Sequence, residues 1–435
     1  MVQSLSLALL AGLSAVATAI PTIEVKGSKF FTSEGDQFYL KGIAYQLVPD
    51  DPLIDATQCR LDSALMETIG ANSIRVYHVD PNGDHKDCMK AFADAGIYLW
   101  VDLDTFDTYV EQNTPRWESD QYEAYARVMD EFQQFDNVAG FFVGNEAITT
   151  ANGSVTAPYI KAAARDMKAY REEKGYRNIP IGYSAADIAE LRPMLQNFLA
   201  CGDDESERLD FFSLNAYSWC GDSSYEQSGY DQLRANSTEL PIPIYMSETG
   251  CNTARPRDFA DQNALFGEMA DTWSGSIVYE WIEEMNNYGL ISYGPQVDPA
   301  SPGAPPDGFT RSGTPTPVLP DFPNLSSVWA TLSPSGVQAA DYKPTNSPIT
   351  CPDLTPGAWE VNPTSALPTL GQKHDFNASP TSGSPTATDD SDADQTATTG
   401  ATTTATPGAA ADRLSHDLQG MGVGLAGALA LFAWL

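Results

Sequence analysis

The chain has 435 residues and carries 58 acidic against 24 basic side chains, a formal net charge of −34. A chain of this length suits one large domain with additional segments. The negative charge argues against a nucleic-acid-binding protein, because contacts to phosphate groups need a surplus of lysine and arginine. The same charge suits a secreted protein that acts on a neutral substrate.

The N-terminus has the pattern of a secretory signal peptide. Residues 2–16 are mostly apolar and small, and Ala17-Thr18-Ala19 follows as an A-x-A cleavage site, although no lysine or arginine precedes the apolar stretch. We therefore expect residues 1–19 to be removed and the mature chain to begin at Ile20.

Eight short apolar segments predict buried strands, and stretches with apolar residues three and four positions apart predict helices between them. A β-hairpin is predicted within residues 22–46, before and into the first strand. The predicted strands are residues 41–46, 73–79, 96–104, a segment ending at Glu146, 180–184, 210–217, a segment ending at Glu248, and 276–281. The predicted helices are residues 61–69, 88–95, 121–134, 157–174 and 258–270.

Strands that alternate with helices imply parallel βαβ units and an α/β fold. Eight such units favour a closed (β/α)8 TIM barrel, which we place at residues 20–351. An open doubly wound sheet is the alternative. It is disfavoured because no glycine-rich nucleotide fingerprint follows the first strand.

Two glutamates end predicted strands four and seven. Glu146 follows the apolar run Val138–Val143, and Glu248 follows Ile244–Met246 with one serine between. The two residues are 102 positions apart, which is three units of about 30–35 residues, so they would face each other across the barrel mouth where such enzymes react. The alternative for Glu146 is a structural role, as a cap of the next helix or a partner of a lysine.

Two carboxylates at a barrel mouth suit cleavage of a glycosidic bond. A retaining enzyme uses one as nucleophile and the other as acid and then base, and the acid needs a raised pKa. Asn145 could bind a sugar 2-hydroxyl group. No Ser/His/Asp arrangement stands out, and His78, at a strand end, is interpreted as a rim or packing residue. The tyrosines at or near strand ends are either packing residues or sugar platforms: Tyr77, Tyr217, Tyr279 and Tyr288.

The six cysteines, in a secreted chain, predict disulfides, and six cysteines allow fifteen pairings. Their spacing does not match a zinc site, so no metal is expected. Four sequons mark candidate N-glycan sites at Asn152, Asn236, Asn324 and Asn377.

The C-terminal third becomes poor in large apolar residues. A last helix is predicted at residues 325–332, and Cys351 is the last feature with core character. Residues 352–411, most clearly 363–406, are rich in Thr, Ser, Ala, Pro and Asp. We expect a disordered, O-glycosylated stalk there.

The C-terminus predicts a GPI-anchor signal. Small residues come first, then a polar spacer at 412–419, then an uncharged apolar tail at 421–435. We expect residues 412–435 to be a propeptide and Gly408, Ala409 or Ala410 to carry the anchor. A marginal tail-anchor helix is the alternative.

Several segments in the same order resemble glycoside hydrolase family 72, the fungal GPI-anchored β-1,3-glucanosyltransferases of the cell wall. The resemblance covers about residues 22–350. The segments are Gly42–Gln46, Arg75–Tyr77, Gly144–Glu146, Asn215–Cys220 and Ser247–Asn252.

The resemblance implies that Glu146 is the acid/base and Glu248 the nucleophile. It implies the disulfides Cys59–Cys88, Cys201–Cys351 and Cys220–Cys251, and the shorter subfamily, because no cysteine follows Cys351. It also implies a glucan-binding set: Gln46, Tyr77, Asp102, Asn145, Tyr217, Tyr279 and Tyr288.

The expected function is therefore transfer of a β-1,3-glucan fragment from a donor to an acceptor chain, without a cofactor. A hydrolytic endo-β-1,3-glucanase and a non-enzymatic wall adhesin are the alternatives. We expect a monomer carried by its GPI lipid to the plasma membrane, with a final place in membrane or cell wall left open.

Overall fold

The structure is a computed structural model that describes residues 20–376. The predicted signal peptide, the GPI signal with Gly408, Ala409 and Ala410, the sequon at Asn377 and most of the predicted stalk lie outside these residues. Between residues 20 and 376, none of the helices combines the length and the apolar character that a membrane crossing requires.

Residues 20–376 contain fourteen strands and eight α-helices. The strands are β1 (Ile23–Lys26), β2 (Lys29–Thr32), β3 (Leu40–Ala44), β4 (Ser73–Val76), β5 (Tyr98–Asp102), β6 (Arg116–Trp117), β7 (Val138–Asn145), β8 (Ile181–Ala186), β9 (Phe211–Asn215), β10 (Ile244–Thr249), β11 (Trp273–Val278), β12 (Ile291–Ser292), β13 (Thr316–Pro317) and β14 (Gln372–Lys373). The helices are α1 (Ala56–Thr68), α2 (Lys86–Asp94), α3 (Ser119–Phe132), α4 (Ala157–Glu173), α5 (Arg192–Ala200), α6 (Tyr230–Ser237), α7 (Asp261–Phe266) and α8 (Asp321–Trp329).

Eight parallel strands close into a barrel in the order β3, β4, β5, β7, β8, β9, β10 and β11, with β11 returning to β3. The predicted TIM barrel is confirmed, and each predicted strand coincides with one of these eight. The predicted helices also exist. α1 begins earlier than predicted, because the Asp55 side chain accepts hydrogen bonds from the backbone of Thr57 and Gln58 and so caps the helix.

The β1–β2 hairpin covers the N-terminal end of the barrel. Phe30 is fully buried, and its ring lies 5.2 Å from that of Trp100 and 6.0 Å from those of Phe211 and Tyr245. These aromatic rings fill the barrel so tightly that a Cβ atom at Gly140 would lie 2.6 Å from the Trp100 ring. The interior is therefore a packed core, and the opposite end carries the open site.

The packed chain extends beyond the predicted boundary at Cys351. Trp359 is fully buried, with its ring 5.6 Å from that of Phe198. The backbone N–H of Glu360 donates to Ser154 Oγ at 2.9 Å, and β14 pairs with β6. The interpretation of Cys351 as the last core feature is wrong: residues 352–376, which we name the strap, pack on the barrel. The prediction failed because a single tryptophan carries much of the apolar contact in a polar segment.

All six cysteines are paired, as Cys59–Cys88, Cys201–Cys351 and Cys220–Cys251. The pairing implied by the family resemblance is confirmed. The third bridge joins the loop after β9 to the loop after β10, at the end of the barrel where Glu248 lies.

Candidate active site

The C-terminal ends of the barrel strands bring Glu146 and Glu248 to the same opening. Glu146 directly follows β7, and Glu248 lies in β10, with β8 and β9 between these strands. Asn215 at the end of β9 pairs in register with Glu248, and its Nδ2 donates to Glu146 Oε1 at 2.8 Å. Asn215 therefore contacts Glu146 through its side chain and neighbours Glu248 on the adjacent strand.

Arg75 is the charged centre beneath the site. It is fully buried on β4 and forms a two-pronged ion pair with Asp102, with nitrogen–oxygen distances of 3.2 and 2.9 Å. Its Nη2 also donates to Asn145 Oδ1 at 3.1 Å, and its Nη1 lies 3.6 Å from Glu248 Oε1. The Arg75 guanidinium thus contacts both Asn145, the residue before Glu146, and the carboxyl group of Glu248.

Hydroxyl and amide groups of three neighbouring strands complete this layer. Ser184 and Ser247 each donate to Asn215 Oδ1, at 2.9 and 2.8 Å. Asn215 Nδ2 donates to Asn145 Oδ1 at 3.1 Å. Both ends of the Asn215 amide are thus held by hydrogen bonds to its neighbours. Its orientation towards Glu146 is therefore set in the free protein.

Glu146 is placed in an environment that favours the protonated form. Burial and the charge of Glu248 raise its pKa to about 7. Its backbone φ is 47°, a left-handed conformation that is uncommon for residues other than glycine and occurs at functional sites. Its partner is the Asn215 amide rather than a lysine or a helix N-terminus, so the structural alternative raised by the sequence is not what the structure shows.

Glu248 accepts a hydrogen bond from a tyrosine at each of its two carboxyl oxygens. Tyr77 donates to Oε1 at 2.9 Å, and Tyr217 donates to Oε2 at 2.6 Å. Burial and the Glu248 charge raise the pKa of both phenols well above their usual value, so both stay protonated and donate. These two bonds and the nearby Arg75 hold the carboxylate in one orientation.

Tyr217, Tyr279 and Tyr288 form one aromatic wall of the opening, which we name the tyrosine wall. The ring of Tyr288 lies 5.6 Å from that of Tyr217 and 5.3 Å from that of Tyr279. The Tyr279 ring lies 6.4 Å from that of Tyr217 and 6.5 Å from that of Tyr77. These edge-on contacts bring the four predicted tyrosines together around Glu248.

The other predicted residues lie deeper. Asp102 is 2% exposed and engaged by Arg75, so in this structure it positions the arginine and is not open to the cleft. Gln46 Oε1 accepts from the backbone N–H groups of Tyr77 and His78. His78 stacks on Phe106 with ring centres 3.8 Å apart, and burial lowers its pKa to about 4.

Sequence reasoning missed Arg75, Ser184, Asn215 and Ser247 as site residues. Arg75 had a usable signal, because an arginine inside a short buried strand needs a buried partner. Asn215 had a weaker one, because a polar residue at the end of a strand faces the same opening as the two glutamates.

Comparison with known proteins identifies the family. A family model described as glucanosyltransferase, glycoside hydrolase family 72, matches residues 12–299. Protein EPD1 of Candida maltosa is 42% identical over 82% of this chain and 63% of its own length. The 1,3-β-glucanosyltransferase of Arthroderma benhamiae is 40% identical over 79% of this chain and 62% of its own length.

A solved structure of Saccharomyces cerevisiae Gas2p, a Glu-to-Gln variant in complex with laminaritetraose and laminaripentaose, superposes with a TM-score of 0.71. It is 36% identical and covers 80% of this chain and 74% of Gas2p. The chain spans less than two thirds of the length of EPD1 and of the Arthroderma protein. With the family model and these relatives in agreement, the chain belongs to glycoside hydrolase family 72, the glucanosyltransferase family.

Proposed function

We propose that this protein is a retaining β-1,3-glucanosyltransferase. The observation that carries the proposal is the contrast between its two carboxyl groups. The pKa of Glu146 is raised to about 7, whereas Glu248 accepts two phenolic hydrogen bonds beside Arg75. A carboxyl group that keeps its proton and a second carboxyl group held in place by hydrogen-bond donors are what a double-displacement mechanism needs. The names of the relatives and the oligosaccharides bound to Gas2p support the choice of glucan.

In the first step, a Glu248 oxygen attacks the anomeric carbon of an internal β-1,3 bond. Glu146 gives its proton to the departing oxygen, so the leaving fragment has a new hydroxyl group and a covalent glycosyl-enzyme remains. Asn215 stays bonded to Glu146 as its charge develops, and the hydrogen bonds from the two phenols weaken as Glu248 loses its charge.

In the second step, Glu146 removes the proton from the 3-hydroxyl group at the non-reducing end of another glucan chain. That oxygen attacks the anomeric carbon, and Glu248 leaves as the carboxylate. The net result is a longer glucan with the β configuration retained, and neither step needs a cofactor.

Asn145, Tyr77 and the tyrosine wall are the proposed glucan contacts at this opening, and Gln46 supports Tyr77 by accepting from its backbone N–H. Tyr77 and Tyr217 already bond to Glu248, so a sugar ring placed against them would present its anomeric carbon to that carboxylate. Asp102 acts through Arg75. The proposed ligands are a donor chain and an acceptor chain.

Hydrolysis by the same two glutamates is the second candidate, because water could replace the acceptor hydroxyl group. Incubation with one laminari-oligosaccharide of defined length separates the two. Transfer gives products longer than the substrate, whereas shorter products alone at high substrate concentration would establish a hydrolase.

The substitution Glu248→Gln distinguishes the proposed enzyme from a non-enzymatic adhesin, because only an enzyme has turnover to lose. The amide has the size of the carboxylate but is not a nucleophile, so we expect loss of transfer and hydrolysis with glucan binding retained. Turnover equal to wild type would remove Glu248 from the mechanism.

We further propose that the protein is held on the outer face of the plasma membrane by a GPI lipid, with the segment after the strap as a spacer. The support is the sequence pattern at both ends. A phosphatidylinositol-specific phospholipase should release the native protein from membranes, and release should be lost when residues 408–410 are replaced by bulky side chains.

A further inference from the structure

A polar group behind the tyrosine wall has no part in the chemistry described above. We name it the Asn286 cluster; it consists of Glu280, Glu284, Asn286, Asp307 and Arg311. Glu280 and Glu284 are 3% and 5% exposed. The Asn286 Nδ2 donates to Glu280 Oε1 at 2.7 Å and to Glu284 Oε1 at 3.0 Å, so one nitrogen joins two buried carboxyl groups.

The charges of the Asn286 cluster do not balance within the described chain. Arg311 is the single guanidinium, and it pairs with Glu284 and Asp307. Glu280 has only the neutral Asn286 amide as a side-chain partner and has Glu248 as a further negative neighbour. A buried carboxylate without a cation is strongly disfavoured, and two adjacent carboxyl groups relieve this cost by retaining a proton.

The Asn286 cluster is joined directly to the tyrosine wall. The Asn286 Oδ1 accepts from the backbone N–H of Tyr288 at 3.1 Å, while the other end of the same amide faces the two glutamates. The backbone N–H of Glu280 donates to the Tyr288 carbonyl at 3.1 Å. The Asn286 amide therefore links the two carboxyl groups to the backbone of Tyr288.

The remaining charged groups around the wall hold its backbone. Arg257 donates to the carbonyls of Tyr279 and Tyr288, at 2.9 and 2.7 Å, and pairs with Asp321.

Burial, and next the charge of Glu284, raises the pKa of Glu280 well above its usual value. Burial also raises the pKa of Glu284, against the opposing effect of Arg311.

We propose that Glu280 and Glu284 share one proton and that Glu280 is a positioning residue, which fixes Tyr288 in the glucan cleft through Asn286. The inference rests on the proposed glucan activity only for the identity of the ligand. Loss of the shared proton at alkaline pH places two like charges around one amide and displaces Tyr288, which weakens glucan binding.

The test uses binding instead of turnover, because the acid Glu146 itself titrates. In a Glu146→Gln background, the affinity for a laminari-oligosaccharide is measured by calorimetry from acidic to alkaline pH. We expect affinity to fall about tenfold at alkaline pH, the effect of one lost hydrogen-bonded contact. The fall should be absent when Glu280→Gln is added, because the amide is permanently neutral.

Glu283→Gln is the matched control, since Glu283 lies in the same loop and forms no hydrogen bond with Asn286 in the described structure. Its pH dependence should equal that of the Glu146→Gln background. An equal response of both variants, or an unchanged alkaline fall in the Glu280→Gln variant, would overturn the proposal.

Infrared spectroscopy tests the proton without any ligand. The carbonyl stretching band of a protonated carboxylic acid should appear in the difference between wild type and Glu280→Gln at neutral pH. Its absence would overturn the proposal even in an active transferase. Its presence in a protein without transferase activity would contradict only the proposed function.

Discussion

At the scale of single residues, Glu146 and Glu248 are the same amino acid under opposite influences. Glu146 has one amide donor and a buried position near a negative charge, which favours its protonated form. Glu248 has two phenolic donors and a guanidinium 3.6 Å away, which hold its two oxygens in place. In the proposed mechanism, the division of roles between acid and nucleophile follows from these partners.

The pH dependence of the reaction should report Glu146. Its pKa is raised to about 7, so the free enzyme holds the catalytic proton below that pH and loses it above. We therefore expect kcat/KM for a laminari-oligosaccharide to fall as pH rises through about 7. Initial rates at low substrate concentration measure this, and a value that stays level well into the alkaline range would contradict the assignment of Glu146 as the acid.

The position of both glutamates at one opening could be predicted from the sequence, because carboxylates that end strands three βα units apart meet at the same end of a barrel. Arg75 and Asn215 could not be assigned in the same way. Their roles depend on side chains that meet from β4, β7, β8, β9 and β10, and a single sequence does not give cross-barrel contacts. The family resemblance implies that Asp102 belongs to the glucan-binding set, whereas the structure shows it paired with Arg75.

At the scale of elements, the eight strands were predictable because each is a short apolar run bounded by polar residues. Helices α5 and α6 were not predicted. Pro193 lies in the first turn of α5, where it is tolerated, but in the sequence it weakens a helical pattern. α6 is eight residues long with three buried side chains, too few to show a periodicity.

The Cys220–Cys251 bridge closes a separation of 31 residues, for which a chain-entropy estimate gives about 3–4 kcal/mol. It also joins the loop after Tyr217 to the loop after Glu248. We expect the double variant Cys220→Ala, Cys251→Ala to lose activity well below its Tm, because a small displacement of a nucleophile can cost about 100-fold in rate. Activity assays in the cold, alongside thermal melts, measure both effects.

Replacement of the Cys59–Cys88 pair by alanine is the comparison, since that bridge joins α1 to α2 on the outside of the barrel. It should lower the Tm and leave the activity of the folded protein in place. Full activity of the Cys220/Cys251 variant in the cold would show that its bridge is purely structural.

At the scale of the whole molecule, the barrel is closed at its N-terminal end by the hairpin and bound on its outer side by the strap. The order of these parts along the chain was predictable, but the extent of the strap was not. Composition describes residues 352–376 as polar, while the buried Trp359 and the β14–β6 pairing depend on what they meet on the barrel.

Truncation separates the strap from the segment that follows it. A chain ending at residue 376 should keep the Tm and activity of the full protein, whereas one ending at residue 351 loses Trp359 from its site against Phe198. Loss of a buried tryptophan costs about 3–5 kcal/mol, so we expect a Tm lower by roughly 10 °C. Equal melting of the two truncated proteins would contradict a structural role for the strap.

The measurement that most directly tests the proposed mechanism is capture of the covalent intermediate. A laminari-oligosaccharide donor with fluorine at the 2-position and a good leaving group should form the glycosyl-enzyme and then react slowly. After proteolysis, mass spectrometry should find the sugar on the peptide that contains Glu248, and an added laminari-oligosaccharide acceptor should remove it as a longer glucan. A label on Glu146, or complete turnover of a Glu248→Gln variant without any label, would contradict the mechanism.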